Sequence, residues 1–202
     1  HNGNIWIGTQ NGINVYNAKT RKFDILDTLD IFKTFKNNRI YDIIEDHNKN
    51  IWVGSKYGLY QILEDTIISY LHSESDSSSI SSNEIYDILE DSDNNIWAAT
   101  KRGLNKLNRA DNSFKRYIRP EGVCENCLSS NEILHILEDT TNHCLWIATV
   151  WGLNRFALDT EQIKVYTEND GLPNNLIYAI LHDDSGNIWL STNRGLSKFN
   201  PS

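Results

Sequence analysis

Ile51-Trp52-Val53-Gly54-Ser55, running on into Lys56-Tyr57-Gly58-Leu59, is the stretch that decides the fold, because the chain writes it five times. The other copies are Ile5-Trp6-Ile7-Gly8-Thr9, Ile96-Trp97-Ala98-Ala99-Thr100, Leu145-Trp146-Ile147-Ala148-Thr149 and Ile188-Trp189-Leu190-Ser191-Thr192. Three residues after each stand a glycine and an aliphatic residue: Gly12-Ile13, Gly58-Leu59, Gly103-Leu104, Gly152-Leu153 and Gly195-Leu196. The tryptophans of successive copies lie 46, 45, 49 and 43 residues apart. A period in the forties, in a chain rich in strand signals, marks a repeated four-stranded unit rather than one unique core.

One full repeat shows how the four strands arise. Ile40 to Asp46 is β-branched and aromatic, with apolar residues dense enough for a strand buried on both faces. His47-Asn48-Lys49-Asn50 is a turn cluster, and Ile51 to Ser55 is the second strand. Lys56-Tyr57-Gly58 is a tight turn whose glycine accepts positive φ. Leu59 to Leu63 is the third strand, Glu64-Asp65 turns, and Thr66 to Leu71 is the fourth. Short turns join antiparallel strands, so each repeat is a meander. The first strands end on Asp46, Asp91, Asp139 and Asp183, each followed by a polar turn that is one residue longer after Asp139. Longer connectors between repeats close on Asn38, Asn83, Asn131 and Asn175.

A four-stranded meander repeated in this way is the blade of a β-propeller. A single antiparallel sandwich leaves five evenly spaced tryptophan phrases unexplained. The expected fold is all-β, a partial β-propeller of three complete four-stranded blades plus two incomplete terminal blades. It forms a single unit over residues 1–202, with blades at 1–35 (partial), 36–81, 82–128, 129–173 and 174–202 (partial). The first blade starts at its second strand, after the turn residues His1 to Asn4, and the last has strands one to three. Unpaired edges at both ends would invite association, so remaining blades of a parent chain are the expected partners.

Composition narrows function. The 202 residues are 39% hydrophobic and carry a formal net charge of −8, which leaves no basic stripe for nucleic acid. No stretch approaches the ~18 apolar residues of a membrane span. The chain has no methionine, and we read it as a piece of something longer, so a missing signal peptide is uninformative. Three cysteines are too few for a disulfide scaffold or a four-thiolate zinc site.

The phrasing closely resembles the two-component regulator propeller repeat. Its Ile-x-x-Ile-x-Glu-Asp strand stands here as Ile40…Glu45-Asp46, Ile85…Glu90-Asp91 and Ile133…Glu138-Asp139, beside the tryptophan and Gly-Leu phrases. The connectors match in Ser129-Ser130-Asn131-Glu132-Ile133 and in Asp170-Gly171-Leu172-Pro173-Asn174-Asn175. The fourth blade departs in its longer first turn, and the Cys124–Cys127 connector departs as well. The resemblance implies a periplasmic sensor region, homodimeric and linked through a membrane helix to a histidine kinase, with an oligosaccharide as ligand.

Several residues invite chemistry and are better read as scaffold. Trp6, Trp52, Trp97, Trp146 and Trp189 look like a sugar-stacking row, yet each holds the same place in its blade and belongs to inter-blade packing. Gly8, Gly54, Ala99, Ala148 and Ser191, two places on, fit crowding between sheets. Glu45-Asp46, Glu90-Asp91 and Glu138-Asp139 cannot flank one bond, because strand neighbours point to opposite faces. Asp91-Ser92-Asp93-Asn94-Asn95 lacks the sixth-position glycine and distal glutamate of a calcium loop. Each strand-ending aspartate instead caps its turn. Cys124-Glu125-Asn126-Cys127 lies in a connector, which weakens a thioredoxin-like reading; an oxidising compartment would allow a local disulfide. Cys144 falls in the turn between strands one and two. The six histidines show no ligand spacing, and His47 and His182 read as solvated. No cofactor, metal site or catalytic motif is expected.

Function is better sought where the repeats disagree. The residue before each turn glycine is Asn11, Tyr57, Arg102, Trp151 or Arg194, and Trp151 is the one tryptophan off the register. This turn and the connectors emerge on one rim, so Tyr57, Arg102, Trp151 and Arg194 form an expected aromatic and cationic arc suited to sugar faces and anionic groups. The leading expectation is a sensory binding module. The others are a protein-interaction propeller in a surface or secretion assembly, and a propeller enzyme, for which no convergent ionisable residues are found.

Overall fold

The computed structural model describes residues 3–24, 30–63 and 66–200. His1 and Asn2 of the opening turn, the Glu64-Asp65 turn, and Pro201-Ser202 lie outside the described residues. The strands form five small antiparallel sheets, each a meander in chain order. The first holds β1 (Ile5–Thr9), β2 (Gly12–Asn17) and β3 (Lys22–Asp24). The second holds β4 (Ile40–Glu45), β5 (Ile51–Ser55), β6 (Gly58–Ile62) and β7 (Ile67–Tyr70). The third holds β8 (Ile85–Glu90), β9 (Ile96–Thr100), β10 (Gly103–Asn108) and β11 (Ser113–Tyr117). The fourth holds β12 (Ile133–Asp139), β13 (Cys144–Thr149), β14 (Gly152–Ala157) and β15 (Ile163–Tyr166), and the fifth holds β16 (Ile177–His182), β17 (Ile188–Thr192) and β18 (Gly195–Phe199). Three four-stranded blades flanked by two three-stranded ones form the expected partial propeller. The first strands pack on one another in sequence, β4 on β8, β8 on β12 and β12 on β16, which makes them the inner wall.

Two side-chain devices within the repeat set the blades, the first found in all five and the second in the four that have an inner strand. At one end, the Ser or Thr closing the tryptophan strand organises the two-residue turn: Ser55 Oγ donates to the Gly58 carbonyl at 3.0 Å and accepts the Tyr57 amide at 3.1 Å. Thr9, Thr100, Thr149 and Thr192 repeat both bonds. Gly58 sits at φ 150°, which any side chain would strain. At the other end, Asp91 accepts the Asp93 and Asn95 amides, the Asn95 side chain, and the Trp97 indole N–H at 2.7 Å. Asp46, Asp139 and Asp183 hold their turns and tryptophans in the same way.

The core lies between blades. Trp52 packs with Leu59 and Tyr70 of its own blade and with Ile85, Ile88, Ile96, Leu107 and Phe114 of the next. Trp97 and Trp146 each pack forward in the same sense. All three are at most 1% exposed. The terminal tryptophans differ from the expectation of five equivalent core residues. Trp189 is 38% exposed, since no described blade packs beyond it, and Trp6 is half-buried in a sheet with no inner strand over it. The small residues two places on permit close approach: a Cβ on Gly8 would stand 2.7 Å from Ile40 Cγ2, and one on Gly54 would stand 3.2 Å from the Ile85 carbonyl.

Two further expectations are corrected. β4 is half-buried rather than buried on both faces, because the innermost strand of a blade has neighbours on fewer sides. Every inner strand also carries a register shift at its second residue, at Tyr41, Tyr86, Leu134 and Tyr178, which tilts that wall. Cys144 is not in the turn. It opens β13 and is fully buried, which pushes its thiol up to about 11.

Candidate functional site

The four off-pattern residues sit on the turns that follow the second strands. Lys56 N and Lys101 N bond back to Arg39 O and Glu84 O at the connector ends, so turns and connectors share a rim. Tyr57 and Trp151 are 52% and 64% exposed, a large apolar display for turn residues. Lys56 Nζ lies 5.6 Å over the Tyr57 ring. Arg102 reaches across to the connector, with Nη1 3.1 Å from Glu74 Oε1. Arg194 does the same toward Pro173 O at 3.3 Å and Glu168 at 4.0 Å. Among the described residues, no hydrogen bond, ion pair or ring contact joins any of the four to another. They are separate exposed groups on one rim rather than a closed pocket.

A concavity lies on the opposite rim. A groove of about 630 Å³ runs between the second and third blades, lined by Asn48, Asp93, Lys106, Asn108 and Arg109 among others. Its cations are largely engaged: Arg109 bridges Asp46 and Glu90 at 3.4 and 3.1 Å, and Lys106 Nζ lies 5.1 Å over the Trp97 ring. Burial would raise the Asp46 carboxyl, but hydrogen bonds from Trp52 and Asn50 and the nearby Arg109 charge hold it below the usual range.

Sequence reading missed the glutamates of the Glu-Asp pairs. Glu90 reaches back to the previous blade, where it accepts the His47 amide at 2.8 Å and meets His47 Nδ1 at 2.6 Å, so His47 is not simply solvated. Glu138 likewise accepts the Ser92 amide and hydroxyl. His182 takes the corresponding place in the last blade, with Nε2 4.0 Å from Asp139. The signal was present as a fixed acidic position, but its partner lies a whole blade away.

The inner wall carries a second unread constellation. Asp42 accepts the Ile88 amide of the next blade at 2.9 Å, and Asp87 accepts the Ile136 amide at 2.7 Å. His135 continues the row, with Nδ1 buried, lacking a hydrogen bond, and 3.9 Å from Asp87 Oδ2. Burial and the Asp42 charge push the Asp87 carboxyl up to about 8. Burial alone lowers His135, which favours the neutral ring. Among the described residues no group of three His, Cys, Asp or Glu side chains could hold a metal ion.

With this geometry in hand, kinship is plain. The family model described as two component regulator propeller matches residues 34–57, 79–102 and 171–194. Each match runs from a connector end through an inner strand and the tryptophan strand to the following turn. Three stretches of the chain, in the second, third and last blades, therefore carry the two-component regulator propeller repeat.

Particular relatives carry the likeness further. The chain is 31% identical over 177 residues to a protein named Histidine kinase P4 of Formosa agariphila, covering 85% of this chain and 12% of that protein. It superposes on the extracellular domain of a hybrid two-component system of B. thetaiotaomicron (BT3049) with a TM-score of 0.78 and 30% identity, covering 97% of this chain and 26% of that one. A second extracellular domain from B. thetaiotaomicron (BT4673), described as a hybrid two component system, gives 0.76 at 25% identity over 98% of this chain and 26% of the other. The chain therefore spans about an eighth of the curated relative and about a quarter of these domains. Among the described residues no helix is long and apolar enough to cross a membrane.

Proposed function

We propose that this chain is a non-catalytic ligand-sensing module in the periplasmic part of a membrane-anchored hybrid two-component sensor. Its ligand is an oligosaccharide, and Tyr57, Arg102, Trp151 and Arg194 are the contact residues. The carrying observation is likeness across 97% of the chain to an extracellular domain of such a system, at 30% identity. The exposed aromatics and guanidinium groups supply what a sugar ligand needs: flat faces for its C–H surfaces and forked donors for its oxygens. Ligand binding would shift a homodimeric parent between two arrangements, and a membrane helix would pass that shift to the kinase.

The test is titration of the complete ectodomain against a glycan panel, as wild type and as the Arg102→Ala/Trp151→Ala variant. One glycan binding the wild type, with at least tenfold loss in the variant, supports the reading; unchanged binding removes the proposed site. A surface-assembly role has weaker support. The surface component PorZ of the Porphyromonas gingivalis type-IX secretion system is 20% identical, at a TM-score of 0.71, and that likeness speaks for fold alone.

A further inference from the structure

The outermost strand of each complete blade has an edge whose N–H groups face away from the sheet, and such edges recruit foreign strands unless covered. Connectors cover two of these edges, at the same place by different means. Phe114 of β11 pairs with Leu107, and Ile163 of β15 pairs with Phe156, so the two residues are equivalent. The outward amide of Phe114 donates to Ser78 O at 2.7 Å, and that of Ile163 donates to Asn126 Oδ1 at 2.7 Å. Ser78 belongs to the connector before the third blade and Asn126 to the connector before the fourth.

The two caps are braced differently. The Ser78 loop is held by Asp76, whose carboxylate accepts the Ser78 amide at 2.8 Å, and by Arg116 of β11, which donates to Asp76 O and Ser79 Oγ. Arg116 pairs with Asn105, and its equivalent in the fourth blade, paired with Asn154, is Val165, whose side chain has no donor. In place of that brace the second connector has the Cys124–Cys127 disulfide, with Asn126 inside the ring it closes. Asn126 also donates from Nδ2 to Glu161 O at 3.2 Å. The Glu161 carboxylate in turn takes Lys115 Nζ at 2.6 Å and the Tyr117 hydroxyl at 2.8 Å from the third blade. Connector, third blade and fourth blade thus meet at one point. Cys127 is buried beside the core residue Leu128, while Cys124 is half-buried and within reach of solvent.

We propose that Cys124–Cys127 is a redox-controlled latch: closed, it fixes Asn126 over the edge of β15, and opened by a dithiol, it frees that edge. A thiolate of the dithiol attacks the Cys124 sulfur, forms a mixed disulfide and releases Cys127 as thiolate. The second thiol then closes the reagent's own disulfide and releases Cys124. Two electrons and two protons pass from the dithiol to the protein, giving two cysteine thiols and an oxidised reagent. In an oxidising compartment the latch stays closed.

Amide exchange of Ile163 and Phe114 in the full chain tests this, with and without dithiothreitol, the thiol state being read by alkylation and mass spectrometry. Both amides should be slow in the oxidised protein. Dithiothreitol should speed Ile163 about tenfold, the scale of one lost hydrogen bond, and leave Phe114 unchanged. Oxidised Asn126→Ala should show the fast Ile163 rate already, with no further change on reduction. The proposal fails if Cys124 and Cys127 are free thiols in the air-oxidised protein, or if complete reduction leaves Ile163 slow. It fails equally if Phe114 speeds up alongside Ile163, or if Asn126→Ala remains sensitive to the reductant.

Discussion

In four of the five blades one carboxylate satisfies a turn and a tryptophan together, so the repeat depends on single atoms. Asp91 is 4% exposed and Trp97 is 1% exposed, and neither has water to fall back on. Asp91→Ala should therefore cost about 2–4 kcal/mol, because it strands the indole N–H and the turn amides. Trp97→Phe removes one donor and some volume, and should cost less, about 1–3 kcal/mol. Urea unfolding of both variants checks the order. At this scale the sequence was highly legible. The aspartate and tryptophan lie six residues apart in one hairpin, and short-range partners can be read from spacing. Asp42, Asp87 and His135 were not legible, because Asp42 and Asp87 meet Ile88 and Ile136 of the next blade, His135 faces Asp87 of the one before, and spacing within one blade cannot show this.

Strands and turns followed from composition, since alternating β-branched runs broken by Asn, Asp and Gly admit few other readings. What lay beyond reach was how the elements touch. The register shift in each inner strand exists only relative to its partner strand, and the backward reach of Glu90 and Glu138 needs the neighbouring turn in place. The arc was legible as a shared rim but not as a spacing, and no contacts close it. Gly54 tests the packing between elements. Gly54→Val puts branched carbon where a single Cβ already comes within 3.2 Å of the Ile85 carbonyl and Cγ2. The second and third blades must part, and the expected loss is about 2–4 kcal/mol, read by thermal unfolding.

At the scale of the whole molecule, blades stack through an acidic inner wall, and its titration has a definite sign. The Asp87 carboxyl, pushed up to about 8, sits well above its ordinary range, and Asp42 is raised as well. The folded state thus holds a proton that the unfolded chain gives up near pH 4. This contribution is fully present below about pH 4 and is lost as pH rises toward 8. Asp87→Asn keeps an acceptor for the Ile136 amide and removes the charge, so it should flatten that slope and be more stable than wild type at pH 8 by about 1–3 kcal/mol. Asp46 and Asp139 run the other way. Their folded values lie below the ordinary range, so their contribution is present above about pH 4 and is lost as pH falls through those lower values. Urea unfolding across pH 3–9 reads both arms.

The same scale holds the open faces. Leu181, Trp189 and Leu196 on the last blade, and Ile5, Ile7 and Phe23 on the first, are exposed where their counterparts in the complete blades are buried or half-buried. Under the proposed function these faces would seat further blades of the same repeat; the relatives it rests on are longer than this chain. The proposed sensing role has to be measured in the full-length protein. The decisive measurement is phosphorylation of the full-length protein, reconstituted in vesicles, with and without a glycan that its ectodomain binds. The account predicts that the glycan changes the phosphorylation level at least several-fold, and that Arg102→Ala/Trp151→Ala abolishes the response while leaving the basal level intact. A bound glycan that leaves phosphorylation unchanged would contradict it.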